Sequence, residues 1–503
     1  MSDLNVSMFR AYDIRTPAER LTPELAERLA SAEAVYFREV LGVPGVLLAH
    51  DARLAGPQYL SITAQAFLEA GLEVVVLPGV SSTSLFYFAA MRFPEFAAVM
   101  VGASHNPAGD TGQKLLGPGL IPLARSIGPQ GGLDRIQELY VERARYHAPR
   151  AGRIRACELI WDYLEYSFQQ AGVSAGSLQG VRVFHDYLHG AAGREMMLAF
   201  DRAGAELTPL HFAADGRFPL GDPNPVKPAV IAPGLRALRA SGARIGMFFD
   251  GDGDRLDVYR GDGQYLSSSF VYAGVLPEIH KRFHAPGLGV FADLKSSPLA
   301  IMEMARCGLK VEVIRNGHSQ IKQSLINDPL MIGATEESAH FYEAFTPPGG
   351  YARCCTENTL YMALLVARAW AEDPARFDHL IALEQTTARA REWGYKFPTD
   401  EHRANALDAV QIHFESARAQ SMTRMKNGMD LEATLMRRGL PFDVGAETIL
   451  APDWLQVCQR ASESEDRLAR WEVVGASRDL VEAARRDIAA IVADHGAGEA
   501  YTG

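Results

Sequence analysis

Residues 45–51 read GVLLAHD, residues 180–186 read GVRVFHD and residues 287–293 read GLGVFAD. In each stretch a glycine comes six positions before an aspartate, with a mainly apolar run between them. Each stretch is followed by a helix-like segment, a turn and a second apolar run, which read AGLEVVVL from residue 70, AGAELTPL from residue 203 and CGLKVEVI from residue 307. This order is a βαβ unit, which needs a right-handed crossover and a covered, largely parallel sheet. Copies so far apart predict three related α/β domains rather than a solenoid, whose period is about 20–50 residues.

The aspartates that end these runs, Asp51, Asp186 and Asp293, fall at the carboxyl ends of the predicted strands. Open α/β sheets bind ligands at that edge, whereas an aspartate that precedes a helix commonly caps it. We expect Asp51 and Asp186 to be helix caps. Chance likeness between generic βαβ units is the alternative explanation of the repeat.

The amino-acid composition and the apolar pattern of the sequence change beyond about residue 375. Residues 376–425 are rich in Ala, Arg and Glu, and residues 453–476 read as two strands on either side of a polar loop. Residues 477–496 carry apolar side chains at helical spacing. This pattern predicts a fourth domain of α+β type, and the predicted boundaries of the four domains are 1–148, 149–261, 262–375 and 376–503.

Composition restricts the class of protein. A hydrophobic content of 48% is ample for packed cores, and no apolar run reaches the roughly 18 residues that cross a membrane. The net charge of −11 argues against general nucleic-acid binding. The 5 cysteines show no C-x-x-C spacing, which predicts reduced thiols, and the opening residues lack the pattern of a secretory signal. We therefore expect a cytoplasmic enzyme with no nucleic-acid or membrane partner.

The strongest local signal is MFFDGDGDRLDVY at residues 247–259, in which Asp250, Asp252 and Asp254 alternate with glycine. Carboxylates at alternate positions of a flexible backbone converge on one hard cation. An EF-hand loop needs glycine at its sixth position and glutamate at its twelfth, where this chain has Arg255 and Gly261. A solvated acidic turn is the other alternative. We expect a Mg²⁺ site whose remaining ligands are water or a substrate phosphate.

A second signal is VGASHNPAGDTGQK at residues 101–114, which places Ser104 and His105 in a loop that ends at Lys114. The nucleophile elbow of an α/β-hydrolase has glycine where Asn106 stands, so this pattern disfavours acyl transfer. A serine that carries a phosphoryl group would supply a fourth oxygen to the metal. Lys114 is then a base or a phosphate partner, with an ordinary surface lysine as the alternative.

Together these residues resemble the α-D-phosphohexomutase family. Its phosphoserine loop reads T-A-S-H-N-P-x-x-x-N-G-x-K, from which the chain departs at Gly102 and Thr111, and its metal loop D-G-D-G-D-R is matched completely. The resemblance implies three related α/β domains with mixed, largely parallel sheets. It also implies a C-terminal α+β domain, similar to the TATA-box-binding protein, and a central cleft that the four domains surround.

The resemblance also implies substrate-binding residues at both ends of the chain. FRAYDIR at residues 9–15 matches the family's opening segment and places Tyr12 and Arg15 at the cleft. The family's sugar loop reads G-E-x-S-G-H, and here Ala339 replaces its second glycine. A glutamate and a serine two residues apart suit neighbouring sugar hydroxyls, with an ordinary polar turn as the alternative. The residues implied to contact substrate in the third domain are Lys295, His318, Glu336, Ser338 and His340.

Of the family's motifs, the phosphate loop is the one from which this chain departs most. It reads R-x-S-G/N-T-E-P, and RASESED here keeps Arg460, Ser462 and Ser464 as donors to phosphate oxygens. Glu463 and Asp466 add carboxylates that should weaken the binding of phosphate. A solvated acidic turn between strands is the alternative.

The predicted function is that of a phosphosugar mutase, which interconverts hexose 1-phosphate and hexose 6-phosphate of mannose, glucose or both. Phospho-Ser104 gives its phosphoryl group to the sugar, and the hexose 1,6-bisphosphate, intermediate and activator, reorients and returns the other one. Lys114 and His340 are the predicted general base and acid, with the two roles depending on the direction of the reaction, and Arg255 orients the phosphoserine. The predicted catalytic set is Ser104, His105, Lys114, Arg255 and His340, and the predicted Mg²⁺ ligands are Ser104, Asp250, Asp252 and Asp254.

Two other functions remain open from the sequence. One is a non-catalytic or regulatory relative that binds a sugar phosphate, and the other is a mutase for a different phosphosugar, such as glucosamine phosphate. The resemblance implies a monomer whose partner is a small phosphosugar.

Overall fold

A computed structural model describes residues 4–350, 353–462 and 465–501 of the chain. Two compact units are formed. Unit 1 lies within Met1–Tyr265, Lys322–Asn327 and His340–Ala371, and unit 2 lies within Leu266–Ile321, Asp328–Ala339 and Glu372–Gly503.

The secondary structure is numbered in chain order. The strands are β1 (Ile14–Pro17), β2 (Gly45–His50), β3 (Glu73–Val80), β4 (Ala97–Val101), β5 (Asp110–Gly117), β6 (Ile121–Pro122), β7 (Ile154–Ala156), β8 (Arg182–Asp186), β9 (Glu206–Leu210), β10 (Ile245–Phe249), β11 (Leu256–Arg260), β12 (Tyr265–Leu266), β13 (Gly289–Asp293), β14 (Lys310–Ile314), β15 (Met331–Glu336), β16 (His340–Phe345), β17 (Cys354–Glu357), β18 (Ala388–Lys396), β19 (Gln420–Arg424), β20 (Asp430–Arg438), β21 (Leu455–Ala461), β22 (Leu468–Gly475) and β23 (Ala500–Tyr501). The α-helices are α1 (Pro23–Val35), α2 (Gly56–Glu69), α3 (Thr83–Arg92), α4 (Leu133–Glu142), α5 (Ile160–Ala171), α6 (Gly193–Ala203), α7 (Pro228–Ser241), α8 (Ser268–His280), α9 (Pro298–Arg306), α10 (His318–Asn327), α11 (Thr359–Glu372), α12 (Pro374–Gln385), α13 (Asp400–Ser416) and α14 (Arg478–Asp494).

The first sheet of unit 1 has the strand order β1-β5-β4-β2-β3-β7, with β6 paired to β5. Strands β4, β2, β3 and β7 are parallel, and β5 is antiparallel to both β4 and β1. The residues of β4 are all buried, as a parallel strand covered by helices on both faces requires. Leu29 of α1 and Phe67 of α2 are fully buried in the core that these helices form with the sheet.

The second sheet of unit 1 repeats this plan in the order β11-β10-β8-β9. Strands β10, β8 and β9 are parallel, and β11 folds back antiparallel on β10. Phe184 and Phe248 pack in its core with ring centroids 5.9 Å apart. Unit 1 also contains the antiparallel pair β16–β17.

In unit 2, β13 is parallel to both β14 and β15. A separate antiparallel sheet has the order β19-β20-β21-β22-β18-β23. Helices α13 and α14 pack on this sheet, and Trp471 of β22 and Ile488 of α14 are fully buried in the core that the helices form with the sheet. Mixed α/β sheets and a C-terminal α+β domain are therefore confirmed.

The predicted repeat is confirmed by three parallel pairs, β2–β3, β8–β9 and β13–β14, each joined by one helix. The structure extends the repeat further than the sequence suggested. In every copy a second helix leads to a third strand, and a short segment then joins that strand to the next one in the chain. These three segments, residues 102–109, 250–255 and 337–339, lie within or beside the three predicted site motifs.

The aspartates at the ends of the first strands do not cap helices, so that prediction was wrong for Asp51 and Asp186. Helix α2 starts after Ala55 and helix α6 after Ala192, and neither has a side-chain cap. Each aspartate instead accepts a hydrogen bond from the backbone N–H two residues ahead, at 2.9 Å for Asp51, 3.1 Å for Asp186 and 3.1 Å for Asp293. Because α2 begins at Gly56 and α6 at Gly193, neither aspartate is the residue just before a helix, and each carboxylate instead turns the chain directly after its strand.

Two predictions from composition can be compared with the structure. All 5 cysteines are free thiols, as expected. Among the helices that residues 4–350, 353–462 and 465–501 form, none combines the length and apolar character needed to span a bilayer. The four domain boundaries stay predictions, as does the cleft.

Candidate active site

Ser104 lies in the segment between β4 and β5, with 4% of its surface exposed. Its backbone is left-handed, with φ of +49°, a conformation that strains a residue other than glycine. The hydroxyl Oγ donates a hydrogen bond to Asp250 Oδ2 at 2.9 Å and lies 3.2 Å from Nδ1 of His105. The serine motif and the acidic motif, 146 positions apart, therefore meet in unit 1.

Asp250, Asp252 and Asp254 occupy the segment between β10 and β11, and each offers a ligand atom within 4.8 Å of the others. Asp252 Oδ1 and Asp254 Oδ1 are buried, and no residue of the described chain forms a hydrogen bond with either. Burial raises the pKa of Asp250, and the like charges of Asp252 and Asp254 raise it further. A cluster of carboxylates with unused buried oxygens fits a hard cation such as Mg²⁺.

Lys114, on β5, supplies positive charge to this cluster. Its Nζ donates to Asp252 Oδ2 at 2.7 Å and to Asp254 Oδ2 at 2.5 Å. Burial acts to lower the pKa of Lys114, but the two aspartates outweigh it and raise that pKa well above its usual value. Lys114 is therefore an ammonium ion in this arrangement, and it releases its proton only when its contacts with the aspartates are lost.

Arg255 connects the acidic segment to two histidines. Its Nε donates to His340 Nε2 at 3.2 Å, and its Nη2 lies 3.4 Å from His105 Nε2. Its Nε is 3.8 Å from Asp250 Oδ2, the oxygen that also accepts from Ser104. The predicted catalytic residues Ser104, His105, Lys114, Arg255 and His340 thus all lie in one connected network of unit 1.

His340 begins β16, and a buried charge cluster that the sequence did not reveal faces its other nitrogen. His340 Nδ1 is 3.8 Å from Asp254 Oδ1 and 3.6 Å from Glu357 Oε1. Glu357 pairs through Oε2 with Lys322 Nζ at 2.6 Å, and Lys322 also donates to the hydroxyl of Tyr87 at 2.8 Å. Burial raises the pKa of Glu357. No motif marks Glu357, and Lys322 ends the segment NGHSQIK at residues 316–322 without being a predicted site residue, because their importance comes from a pairing in space.

A second missed pair holds the serine segment in place. Arg53 Nη2 donates to the carbonyl oxygens of Ser104 at 2.9 Å and Asn106 at 2.7 Å, and its Nη1 donates to Pro107 O at 2.5 Å. Asp51 pairs with Arg53 at 3.2 Å and accepts from Ala103 N at 3.1 Å. Burial lowers the pKa of Arg53 and raises that of Asp51, although each partner opposes the change in the other.

The same pair explains one departure from the family pattern. A β-carbon at Gly102 would lie 2.5 Å from Asp51 Oδ2, closer than real contacts permit. The threonine of the family therefore has no room here, because the Asp51 carboxylate fills the space. At Gly112 the constraint is still tighter, since a β-carbon would lie 1.9 Å from the carbonyl oxygen of Ile14.

Thr83, at the start of α3, fixes the acidic segment from the other side. Its Oγ1 donates to Asp252 Oδ2 at 2.6 Å, and its backbone N–H donates to Asp252 O at 2.8 Å. Asp252 thus receives one hydrogen bond on its side chain and one on its backbone from a single residue. These bonds set the direction of one potential metal ligand.

The N-terminal residues Tyr12 and Arg15 also belong to unit 1. Arg15 Nη1 donates to Asn106 Oδ1 at 2.6 Å in the serine segment, and Arg15 pairs with Asp13 at 2.8 Å. Tyr12 is half-buried in the bend before β1. Arg15 therefore contacts the serine segment, and the place of Tyr12 and Arg15 at a cleft stays a prediction.

The remaining predicted residues lie in unit 2, where Lys295 and Arg460 share one anion. Lys295 Nζ is 3.6 Å and Arg460 Nη2 is 3.1 Å from Oε2 of Glu392. The Lys295 ammonium is also 3.9 Å from Asp293. Burial acts to lower the pKa of Lys295, but Glu392 and Asp293 outweigh it, so that pKa is raised.

The sugar-loop residues lie around the end of β15. Glu336 Oε1 accepts from Asn316 Nδ2 at 3.2 Å and from Gly317 N at 3.3 Å, which brings it beside His318 at the start of α10. Ser338 is half-buried in the segment after β15. Ala339 keeps the left-handed backbone that glycine favours, with φ of +73°. The loop is therefore bent as a glycine loop would be, at a cost in strain.

The phosphate-loop residues follow β21. Ser462 is 8% exposed, and its backbone N–H donates to Leu468 O at 2.8 Å. Ser464 and Glu463, which the sequence also singled out, lie outside the described residues. Asp466 lies in the turn before β22.

Comparisons with known proteins agree with this fold. Two family models match, described as phosphoglucomutase/phosphomannomutase alpha/beta/alpha domain I over residues 6–128 and domain II over residues 162–263. A phosphomannomutase of Salmonella montevideo is 28% identical over 349 residues, which are 68% of this chain and 74% of the relative. A phosphoglucomutase of Neisseria meningitidis serogroup B is 28% identical over 328 residues, which are 64% and 68% of the two chains.

The fold also matches over the full chain. The crystal structure of a phosphoglucomutase/phosphomannomutase family protein from Burkholderia thailandensis superposes with a TM-score of 0.76 at 21% identity. The match covers 98% of this chain and 99% of the other. The multi-domain α/β architecture is thus one that this group of proteins shares.

Proposed function

We propose that this chain, which belongs to the α-D-phosphohexomutase family, interconverts the 1- and 6-phosphates of mannose, glucose or both. One observation carries the proposal: the hydroxyl of Ser104 lies 2.9 Å from Asp250, within a cluster of three carboxylates that fits a divalent cation. The similar proteins named phosphomannomutase and phosphoglucomutase support the same reaction class.

The reaction begins with Ser104 as a phosphoserine. The free hydroxyl of the bound hexose phosphate attacks the phosphorus atom and passes its proton to a base, while the bond to Ser104 Oγ breaks and an acid protonates the departing Oγ. The product is a hexose 1,6-bisphosphate and an unmodified serine. After the sugar turns round, Ser104 Oγ attacks the other phosphoryl group and is phosphorylated again. Added hexose 1,6-bisphosphate serves as activator because it phosphorylates unmodified enzyme.

Asp250, Asp252 and Asp254, together with an oxygen on Ser104, are the residues that would hold Mg²⁺. A bound Mg²⁺ neutralises charge on the phosphoryl group in transfer, which is the main requirement of this chemistry. Arg255 lies beside both Asp250 and His105, so its guanidinium orients the phosphoserine. Arg53 keeps the backbone of Ser104 fixed during the transfer.

Lys114 and His340 are the proposed proton carriers, in opposite protonation states. Lys114 carries its proton because two aspartates surround it, so it acts first as an acid or as a phosphate contact. His340 Nε2 accepts a hydrogen bond from Arg255, so that nitrogen is a base in this arrangement. Paired groups of opposite state suit a reaction that runs in both directions.

The substrate contacts follow the family pattern. Glu336 and Ser338 are proposed to bind sugar hydroxyls, and Arg460, Ser462 and Ser464 to bind the phosphate that is not being transferred. The further proposed contacts are Tyr12, Arg15, Lys295 and His318. We also propose that the enzyme works as a monomer in the cytoplasm.

The test is a coupled assay on the purified chain with glucose 1-phosphate, mannose 1-phosphate and glucosamine 1-phosphate, each primed with its bisphosphate and Mg²⁺. Ser104→Ala should lower turnover by at least about a thousandfold, and the Ser104 peptide of the parent should carry one phosphate. Ser174→Ala, at an exposed serine, is the matched control. Turnover that survives Ser104→Ala, or no turnover of any sugar phosphate, contradicts the proposal. Turnover of glucosamine phosphate alone would replace mannose and glucose phosphates by glucosamine phosphate as the substrate.

A further inference from the structure

Unit 2 contains a carboxylate around which three cations converge. Glu392 Oε1 accepts from Arg470 Nη1 at 2.8 Å, and Oε2 accepts from Arg460 Nη2 at 3.1 Å. Lys295 Nζ lies 3.6 Å from the same Oε2. Two guanidinium groups that each donate to one oxygen of an anion form the geometry by which proteins bind carboxylates and phosphates.

The sheet explains why an anion is needed at this point. Arg460 on β21 and Arg470 on β22 are direct partners in the antiparallel register. Like charges at directly opposite positions destabilise a sheet unless a counter-charge separates them. Glu392 supplies that counter-charge from β18, where the register shifts between Ala390 and Trp393. Such a bulge redirects side chains, and it places Glu392 over both arginines.

Glu392 stays ionised between three cations. Burial acts to raise the pKa of Glu392, but Arg460, Lys295 and Arg470 outweigh it and hold that pKa well below its ordinary value. Glu392 is therefore ionised, and it brings one negative charge to three positive ones. Lys295 also lies near Asp293, and Arg470 pairs with Glu465, so Glu392 is the carboxylate that the two arginines share and the one whose place an incoming anion would take.

Solvent reaches this cluster. The exposed fractions of the side chains are 21% for Glu392, 17% for Arg460 and 16% for Arg470, against 5% for Lys295. The loop after β21, which carries Ser462, begins next to Arg460. An anion from solution therefore has a path to the arginines that does not require the core of the sheet to open.

We propose that Glu392 is an internal anion that occupies the phosphate-binding arginines of the free protein, and that a substrate phosphate displaces it. Arg470 is then a further phosphate-binding residue beside Arg460. Glu392 competes with the incoming phosphate and so sets how tightly hexose phosphates bind. The inference rests on the proposed function, because it takes the ligand to be the phosphate of a hexose phosphate.

The test measures binding rather than turnover, on full-length protein that carries Ser104→Ala. Titration calorimetry with glucose 6-phosphate, and separately with inorganic phosphate, compares this parent with added Glu392→Gln or Arg470→Gln. Removing the competing charge should tighten binding of glucose 6-phosphate by at least about fivefold, and removing the arginine should weaken it by at least about tenfold. Glu482→Gln, on α14 of the same unit, is the matched control.

Stability gives a second measurement. Without ligand, Glu392→Gln should lower Tm, since two opposed arginines lose their counter-charge, and glucose 6-phosphate should raise its Tm more than that of the parent. If this variant does not fold, Glu392→Asp, which keeps the charge on a shorter side chain, should bind phosphate more tightly than the parent does. Unchanged or weaker binding by the Glu392 variants overturns the proposal.

The two ligands separate the sources of phosphate. Tightening with both ligands supports displacement by any phosphate, and tightening with glucose 6-phosphate alone supports a site that also reads the sugar. Tightening with inorganic phosphate alone rejects the sugar phosphate as ligand and overturns the proposal as stated. Because the Ser104→Ala protein does not turn over, failure of the mutase assay leaves these outcomes readable.

Discussion

The guanidinium of Arg53 donates from Nη2 to the carbonyl oxygen of Ser104 at 2.9 Å, 51 positions away in the chain. The left-handed turn at Ser104 is thus held by a buried cation, which Asp51 pairs at 3.2 Å. The position of Ser104, the proposed nucleophile, depends on this pair as much as on its own segment.

Arg53→Gln should therefore lower kcat by about a hundredfold, because a displacement of the nucleophile by about 1 Å has that effect. It also leaves the Asp51 carboxylate buried without its partner, which costs about 3–5 kcal/mol of unfolding free energy. Steady-state kinetics well below Tm and thermal unfolding measure the two effects. Arg217→Gln, at an exposed ion pair with Asp215, should change neither by much, and an unchanged kcat in Arg53→Gln would contradict a role in holding Ser104.

Lys114→Met should make the stability of the protein more dependent on Mg²⁺. In the presence of a chelator the variant has three buried carboxylates without the ammonium that pairs with two of them, so we expect a loss of about 3–5 kcal/mol. Added Mg²⁺ replaces the missing charge and should raise the Tm of the variant more than that of the wild type. Differential scanning calorimetry with and without Mg²⁺ measures this, with Lys396→Met at an exposed site as control; equal Tm shifts in all three proteins refute it.

Ala339→Gly should stabilise the protein by about 1 kcal/mol, because Ala339 has a φ of +73° and glycine adopts that backbone without strain. Greater chain entropy of glycine in the unfolded state reduces the gain below the full strain energy. The control Ala404→Gly, at an exposed position of α13, should instead destabilise by about 1 kcal/mol. Urea unfolding measures both, and because the buried methyl of Ala339 contributes up to about 1 kcal/mol, a loss in Ala339→Gly as large as that in Ala404→Gly would contradict relief of strain.

Glu195 should make the protein less stable as the pH rises from about 5 to about 8. Glu195 is 2% exposed, and burial raises its pKa from 4.5 to about 7. Below the unfolded pKa both states bind the proton. Between the two values only the folded state keeps it, so the stability that it contributes is lost as pH rises through about 7.

A shift of this size corresponds to about 3 kcal/mol. Glu195→Gln removes the titration, so its unfolding free energy should fall less between pH 5 and pH 8 than that of the wild type. In Glu206→Gln, at an exposed position of β9, the unfolding free energy should fall with pH as much as it does in the wild type. If the unfolding free energies of wild type and Glu195→Gln change with pH in parallel, Glu195 is ionised in the folded protein.

The parts of the fold that could be predicted are those that neighbouring residues determine. The runs that end at Asp51, Asp186 and Asp293 are apolar segments with glycine before them, and such segments form buried strands wherever they lie. The metal and serine motifs could be found because their chemistry needs fixed residue types at fixed spacing.

The parts that escaped prediction depend on pairing in space. Arg53, Glu357 and Glu392 are ordinary charged residues in the sequence, and only the folded chain brings each of them to a predicted site residue. The helix caps expected at Asp51 and Asp186 failed because the helices start beyond these residues, after Ala55 and Ala192, and the sequence does not fix the length of the turns between strand and helix.

Residues 102–109, 250–255 and 337–339 occupy the same position in three copies of one supersecondary unit, directly after its third strand. The proposed nucleophile, the proposed metal ligands and the proposed sugar contact therefore occupy equivalent positions of the repeat. For protein engineering, this arrangement means that the sugar-contact segment can be substituted to suit a new sugar. The strands and helices that hold the other two segments need not change.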